Sequence, residues 1–174
     1  MYRLWIVLAV VLTGCSSTRY YIVRHAEKAI VTKDSVGMMA NNPPLSEPGK
    51  VRAFVLRDEL KSEHIKSIYS TNTIRTISTA QPLSDLTGVP IVVYSPSKDS
   101  ADAFTSRLKN TKGNVLVVGH SNTVDDIVNR LTGRPDIAGD LADAEYDNLF
   151  IVTKKGKKWT FTRKKYGYPS NPEK

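Results

Sequence analysis

Short runs of β-branched and aromatic residues alternate along the chain with stretches whose apolar positions recur every three or four residues. Residues 20–23, 65–69, 91–94 and 115–118 are apolar runs bounded by polar or turn-forming residues, and they read as buried strands. Between them, Val51, Phe54, Val55 and Leu60 trace one helical face, and Ile74, Ile77, Ala80 and Leu83 another. Ser46 is placed to cap the first of these helices, with Glu47 and Pro48 in its opening turn, and the helix ends near Lys61. The second helix, residues 73–86, contains Pro82, which predicts a kink or a division into two pieces. Asp99 is placed to cap a helix over about 100–110, and Ser121 or Asn122 to cap one over 123–131. Residues 28–44 and 134–146 have no period and read as loop. Residues 147–153 and 158–163 flank Lys155-Gly156-Lys157 as a closing hairpin. Strands alternating with helices predict a three-layer α/β/α domain with a mostly parallel central sheet.

Two of the strands stop in the same way. The first runs into Arg24-His25 and the fourth into Gly119-His120-Ser121-Asn122. In open α/β sheets, ligands bind beyond the carboxyl ends of the strands. Two imidazoles at two such ends therefore predict one site. Arg75, just after the second strand, adds a second guanidinium. Two arginines and two histidines with few nearby carboxylates suit a doubly charged oxyanion such as phosphate, whose oxygens match the donor fork of arginine. The amino termini of the helices beginning near Thr73 and Thr123 would add backbone N–H groups.

The motifs together resemble those of the histidine phosphatase superfamily, the phosphoglycerate mutase-like group. Arg24-His25-Ala26-Glu27 looks like its Arg-His-Gly signature, with Ala26 in place of the glycine. Leu45-Ser46-Glu47-Pro48-Gly49 is similar to its first helix start. The stretch from Ser70 to Arg75-Thr76, with Thr79-Ala80 beyond, is similar to its arginine segment, and Gly119-His120 to its second histidine motif. The resemblance spans about residues 19–153 and implies a phosphoglycerate mutase-like fold. It implies His25 as the nucleophile that takes the phosphoryl group, with Arg24, Arg75 and His120 binding its oxygens and Asn122 a further substrate contact. It implies no metal and no other cofactor. The proton donor is open among Glu27, Asp99, Asp102, Asp125 and Asp126. Arg52, His64 and Glu145 to Asn148 read as surface or structural residues, and Tyr20 and Tyr21 as core. The compact length argues against mutase activity. The expected substrate is a phosphorylated small molecule or a phosphoprotein. A surface protein that holds phosphate groups without turnover is the rival reading, and an envelope scaffold resting on the lysine run is a third.

Charge and cysteine usage narrow the setting. The 174 residues carry a net charge of +8, which favours anionic partners. No RNP, zinc-finger or basic-zipper pattern accompanies it, so nucleic acid is not expected. The one cysteine, Cys15, excludes an internal disulfide. It follows Arg3, an apolar run over 4–12 too short to span a bilayer, and Leu12-Thr13-Gly14. Leu12 to Cys15 resembles the lipobox of bacterial lipoproteins, which implies a signal peptide over 1–14 and a diacylglyceryl group on Cys15. Acyl chains hold a soluble domain to a membrane at about 0.8 kcal/mol per buried methylene. With Ser16 rather than Asp after the cysteine, the expectation is a lipid-anchored protein of the cell envelope, on the periplasmic face of the outer membrane in a diderm cell. Residues 15–18 then form a tether, 19–165 the catalytic domain and 166–174 a tail.

Overall fold

The computed structural model describes residues 17–32 and 36–170. The readings placed on the apolar run and on Cys15 lie outside the described residues. Among the described residues, no helix is long and apolar enough to cross a membrane.

The elements run β1 (Ser17–Arg24), α1 (Met38–Asn41), α2 (Glu47–Leu60), β2 (Ile65–Ser70), α3 (Ile74–Thr87), β3 (Ile91–Val93), α4 (Lys98–Asn110), β4 (Asn114–Gly119), α5 (Val124–Thr132), β5 (Asn148–Lys155) and β6 (Lys158–Lys165). They form one six-stranded sheet in the order β3-β2-β4-β1-β5-β6. The first four in that order are parallel to one another, and the β5–β6 hairpin adds two antiparallel strands beyond β1. β1 is buried on both faces, so its alternate side chains feed two cores. Tyr20 and Ile22 pack with Val115, Val117, Phe104, Leu108, Val128 and Leu131, beneath α4 and α5. Tyr21 and Val23 pack with Leu116, Val118, Leu56, Leu60, Ala80 and Leu83, beneath α2 and α3. This is the expected three-layer arrangement with a mostly parallel sheet.

Several local expectations are corrected. The buried face of α2 carries Gly49, Arg52, Ala53, Leu56 and Leu60, while Val51 and Phe54 are half exposed. Arg52 is therefore interior rather than surface. Its Nε donates to both Glu27 carboxylate oxygens at 2.9 and 3.0 Å, its Nη2 to Glu27 Oε1 at 2.7 Å and to the Tyr168 carbonyl at 2.9 Å, and its Nη1 to the Tyr166 carbonyl at 2.9 Å. Those carbonyls belong to the expected tail, which instead packs back onto the body: Tyr166 is buried, and Ser170 bonds Asp147 and the Tyr146 and Asp147 amides. α3 is one helix through Pro82, ending at Gly88 in the left-handed conformation. Ser97, not Asp99, stands at the N-cap of α4, and Thr123, not Ser121 or Asn122, at that of α5.

Gly49 has a steric role. A Cβ there would lie 2.2 Å from the Glu27 carbonyl oxygen, so only glycine lets the first turn of α2 close on the segment after β1. Ser46 completes that junction. Its amide donates to the same carbonyl at 2.9 Å, and its side chain accepts from the Gly49 amide at 3.2 Å.

Candidate active site

The β1–β4 ladder ends on the pair Arg24↔Gly119, and the His25 amide continues it with a 2.9 Å bond to the Gly119 carbonyl. Parallel pairing in that register places His25 and His120 side by side. Their ring centroids are 5.5 Å apart and their planes meet at 69°. Residue 119 must be glycine, because a Cβ would lie 2.6 Å from Thr123 Oγ1 and 2.8 Å from Tyr94 Oη. That close approach lets Thr123 Oγ1 accept from the His120 amide at 2.8 Å and hold the turn that presents the ring. β2, parallel to β4 on its other side, delivers Thr71 and then Arg75 on the first turn of α3.

The four residues line an open polar cup of about 480 Å³, together with Lys28, Pro96, Ser121, Asn122, Thr123, Asp140 and Asp143. A second cavity of about 510 Å³ opens between α2 and residues 168–169. Its lining is mostly apolar, and its one guanidinium, Arg52, is already spent on Glu27.

The two rings are tied by opposite nitrogens. His25 Nδ1 lies 2.7 Å from the Ala26 carbonyl. A carbonyl only accepts, so Nδ1 carries the proton and Nε2 keeps its lone pair. His120 Nε2 lies 2.8 Å from Thr71 Oγ1. The Thr71 hydroxyl donates onward to Thr76 Oγ1 at 3.0 Å, which donates to the Thr71 carbonyl at 2.8 Å. The hydroxyls point one way, so His120 donates from Nε2 and its Nδ1 holds the free lone pair. Thr71 and Thr76 are fully buried, which keeps water out of this chain. One turn along α3, Thr79 Oγ1 accepts from the Ala26 amide at 2.9 Å and donates to the Arg75 carbonyl at 2.7 Å.

Both imidazoles are strongly neutral. Burial lowers the His25 pKa to about 3; the bond to the Ala26 carbonyl opposes it in part, and the nearby Arg24 and Arg75 charges lower it further. Burial, then Arg75 and Arg24, lowers that of His120 to about 4. Arg75 is itself lowered, first by burial and then by the like charge of Arg24. Two guanidiniums thus face one cup, and the Nε of each is buried with no acceptor. Buried unpaired donors are costly. A tetrahedral anion in the cup would meet both positive charges.

Arg24 is fixed by a segment with no regular structure. Its Nη1 donates to the Ala142 and Asp143 carbonyls at 2.8 and 3.0 Å, and its guanidinium carbon sits 4.2 Å from the Tyr146 ring centroid. Tyr146, read from sequence as structural, also stands 6.0 Å from the His25 ring. Asn122 is where it was expected, at the rim of the cup. The candidate acids are not. Glu27 faces Arg52 in the second cavity, and Asp99 is exposed on the first turn of α4. Asp102 pairs with Arg130, and Asp125 is buried on α5 outside the cup. Asp126 lines a small neighbouring crevice with Arg130. The carboxyls at the mouth are Asp140 and Asp143, and Asp143 Oδ1 lies 3.7 Å from Arg24 Nη2. Nothing in their local sequence pattern marks them, since only the fold brings that loop over β1.

Comparison with known proteins agrees with this geometry. The family model described as histidine phosphatase superfamily (branch 1) matches residues 20–95, a stretch holding Arg24, His25 and Arg75. No curated protein sequence matches the chain. Solved structures supply the fold over a longer span. An ecdysone phosphate phosphatase from Bombyx mori, in complex with tungstate, superposes with a TM-score of 0.63 at 17% identity, over 90% of this chain and 96% of its own. A proposed phosphohistidine phosphatase SixA from Agrobacterium tumefaciens gives 0.60 at 18%, over 87% and 98%. A phosphoglycerate mutase from Bacillus anthracis gives 0.59 at 16%, over 85% and 92%.

Proposed function

We propose that this chain is a member of the histidine phosphatase superfamily and a metal-independent phosphomonoester hydrolase that works through a phosphohistidine on His25. The observation that carries the reading is a neutral His25 imidazole, its Nε2 lone pair free, in one cup with Arg24, Arg75 and His120. The Nε2 lone pair of His25 attacks phosphorus, the bond from phosphorus to the ester oxygen breaks, and that oxygen leaves with a proton from a group at the cup mouth, where Asp140 and Asp143 stand. Water then attacks phosphorus and gives a proton to the mouth group that lost one, and the phosphorus–nitrogen bond breaks with its electron pair returning to His25 Nε2. Arg24 and Arg75 are in place before the reaction and stabilise the charge on the equatorial oxygens. A bound dianion offsets their effect on His120, raises its pKa, and lets its free Nδ1 take up and release a proton.

The substrates we assign are phosphorylated small molecules or phosphoproteins, since the cup is open and polar. The chain acts on them from a lipid anchor at Cys15 on the periplasmic side of the cell envelope, a setting supported by the sequence around that cysteine. The test is hydrolysis of p-nitrophenyl phosphate by the full chain and by His25→Ala. Turnover by the parent and a loss of about 10,000-fold or more in the variant are expected. Phosphate binding with no turnover in either would replace the enzyme by a phosphate-holding module.

A further inference from the structure

The β5–β6 hairpin carries seven lysines and arginines and no acid between residues 148 and 170, and the fold treats its two ends differently. At the end nearer the cup, Arg163 pairs with Glu145 at 2.9 Å and Lys165 with Asp147 at 2.7 Å. At the turn, Lys154, Lys155, Lys157 and Lys158 have no ion pair among the described residues. The cluster extends into the helical layer. Lys154 Nζ donates to the Lys109 carbonyl at 3.1 Å, and both ammonium groups lie over the Trp159 ring, at 5.2 and 5.9 Å from its centroid. Lys112 follows in the loop before β4. Glu63, at the same edge, is engaged by Arg19 and Tyr21.

This cationic edge is also where the described chain begins. Ser17 pairs with Lys155 and Thr18 with Lys154, so β1 starts beside the lysine turn and runs away from it to the cup. The apolar run over 4–12 and Cys15 precede Ser17 by a few residues in sequence. Eight residues of strand put the cup about 23 Å from that edge.

We propose that the lysine edge formed by the β5–β6 turn and the end of α4 docks on an anionic lipid surface, and so holds the molecule with β1 pointing outward and the cup facing the aqueous space. Each lysine near an anionic leaflet adds roughly fivefold to partitioning at low ionic strength, and salt screens the effect. Four neighbouring lysines therefore orient a body that a flexible tether alone leaves free to tumble. The inference does not rest on the catalytic reading.

The test is flotation of the full chain carrying Cys15→Ala, which removes any acyl group, with vesicles of phosphatidylcholine alone or with 30% phosphatidylglycerol. The leader, with Arg3, is the same in the parent and in the lysine variant, so the change in the ratio between the two vesicle types on removing the lysines reads the lysine edge. The parent is expected to partition at least tenfold better into the anionic vesicles at low salt, with the preference lost in 0.5 M NaCl. Changing Lys154, Lys155, Lys157 and Lys158 together to Gln is expected to abolish the preference while leaving partition into neutral vesicles and turnover of p-nitrophenyl phosphate unchanged. Equal partition of the parent into both vesicle types overturns the proposal. So does a variant that keeps the parent's preference, or one that loses binding to both vesicle types alike.

Discussion

His25 and His120 occupy equivalent places, each just past the carboxyl end of a parallel strand, yet they are held in opposite ways. His25 is tied through Nδ1 to a carbonyl of its own loop, 2.7 Å away. His120 is tied through Nε2 to a hydroxyl chain from β2 and α3. A carbonyl anchor is rigid and admits one tautomer, which suits a nucleophile that must always present the same lone pair. A hydroxyl that accepts from Nε2 in either protonation state leaves Nδ1 free to gain and lose a proton, which suits a group that changes protonation during turnover. Topology thus supplies two equal positions, and the second layer of contacts makes them unequal.

The hardest break of that comparison is to change each ring to Asn. His25→Asn is expected to remove covalent turnover, a loss of about 10,000-fold or more in kcat. His120→Asn keeps the nucleophile and loses one preorganised partner, a drop on the order of 100- to 1,000-fold. Equal losses, measured by steady-state hydrolysis of p-nitrophenyl phosphate, would erase the distinction.

A finer test acts on the anchor alone. Thr71→Val removes the acceptor for His120 Nε2, and the loss of one hydrogen bond predicts a fall of about five- to tenfold in kcat/KM. Thr71→Ser keeps the hydroxyl and is expected to restore most of it. A Ser variant no better than Val would reduce Thr71 to packing.

The smallest effect is on pH. Burial and the arginines hold both rings well below their ordinary value, to about 3 and about 4. Imidazole protonation in the free enzyme is therefore expected to leave kcat/KM untouched from pH 7 to about 5 and to cut it only as pH nears 4. Arg75 is the larger of the two charge effects on His120, so Arg75→Ala is expected to move that acid limb toward neutrality. The same shifts set a sign for stability. The unfolded chain binds the histidine protons near pH 6.5 and the folded chain only near 4 and 3. Their contribution is present above about pH 6.5 and is lost as pH falls from there toward 4 and then 3. Thermal melting across that range, with and without inorganic phosphate, reads this directly.

Much of this was legible in the sequence, because strand ends and short motifs are local. The strand-to-histidine junctions, the Ser46 cap, Arg75 after β2 and the α/β alternation all depend on residues within a few positions of one another. What was not legible depends on distant partners. Arg52 reads as a surface residue beside Val51 and Phe54 until Glu27, 25 positions away, and the Tyr166 carbonyl, 114 away, close around it. The helical period alone turned α2 the wrong way, since its buried face carries a glycine, an arginine and an alanine among its leucines. Tyr146 and the mouth carboxyls sit in a loop with no period at all, and reach the cup only because Arg24 gathers that loop's carbonyls.

During turnover the phosphoryl group rests on His25 in this mechanism. The full chain mixed with p-nitrophenyl phosphate, quenched in alkali within milliseconds and mapped by peptide mass spectrometry, tests this directly. A base-stable, acid-labile phosphoryl group on the His25 peptide, at the nitrogen remote from the backbone, is the predicted result. A phosphoryl group on His120, or turnover with no covalent species at any time point, would contradict it.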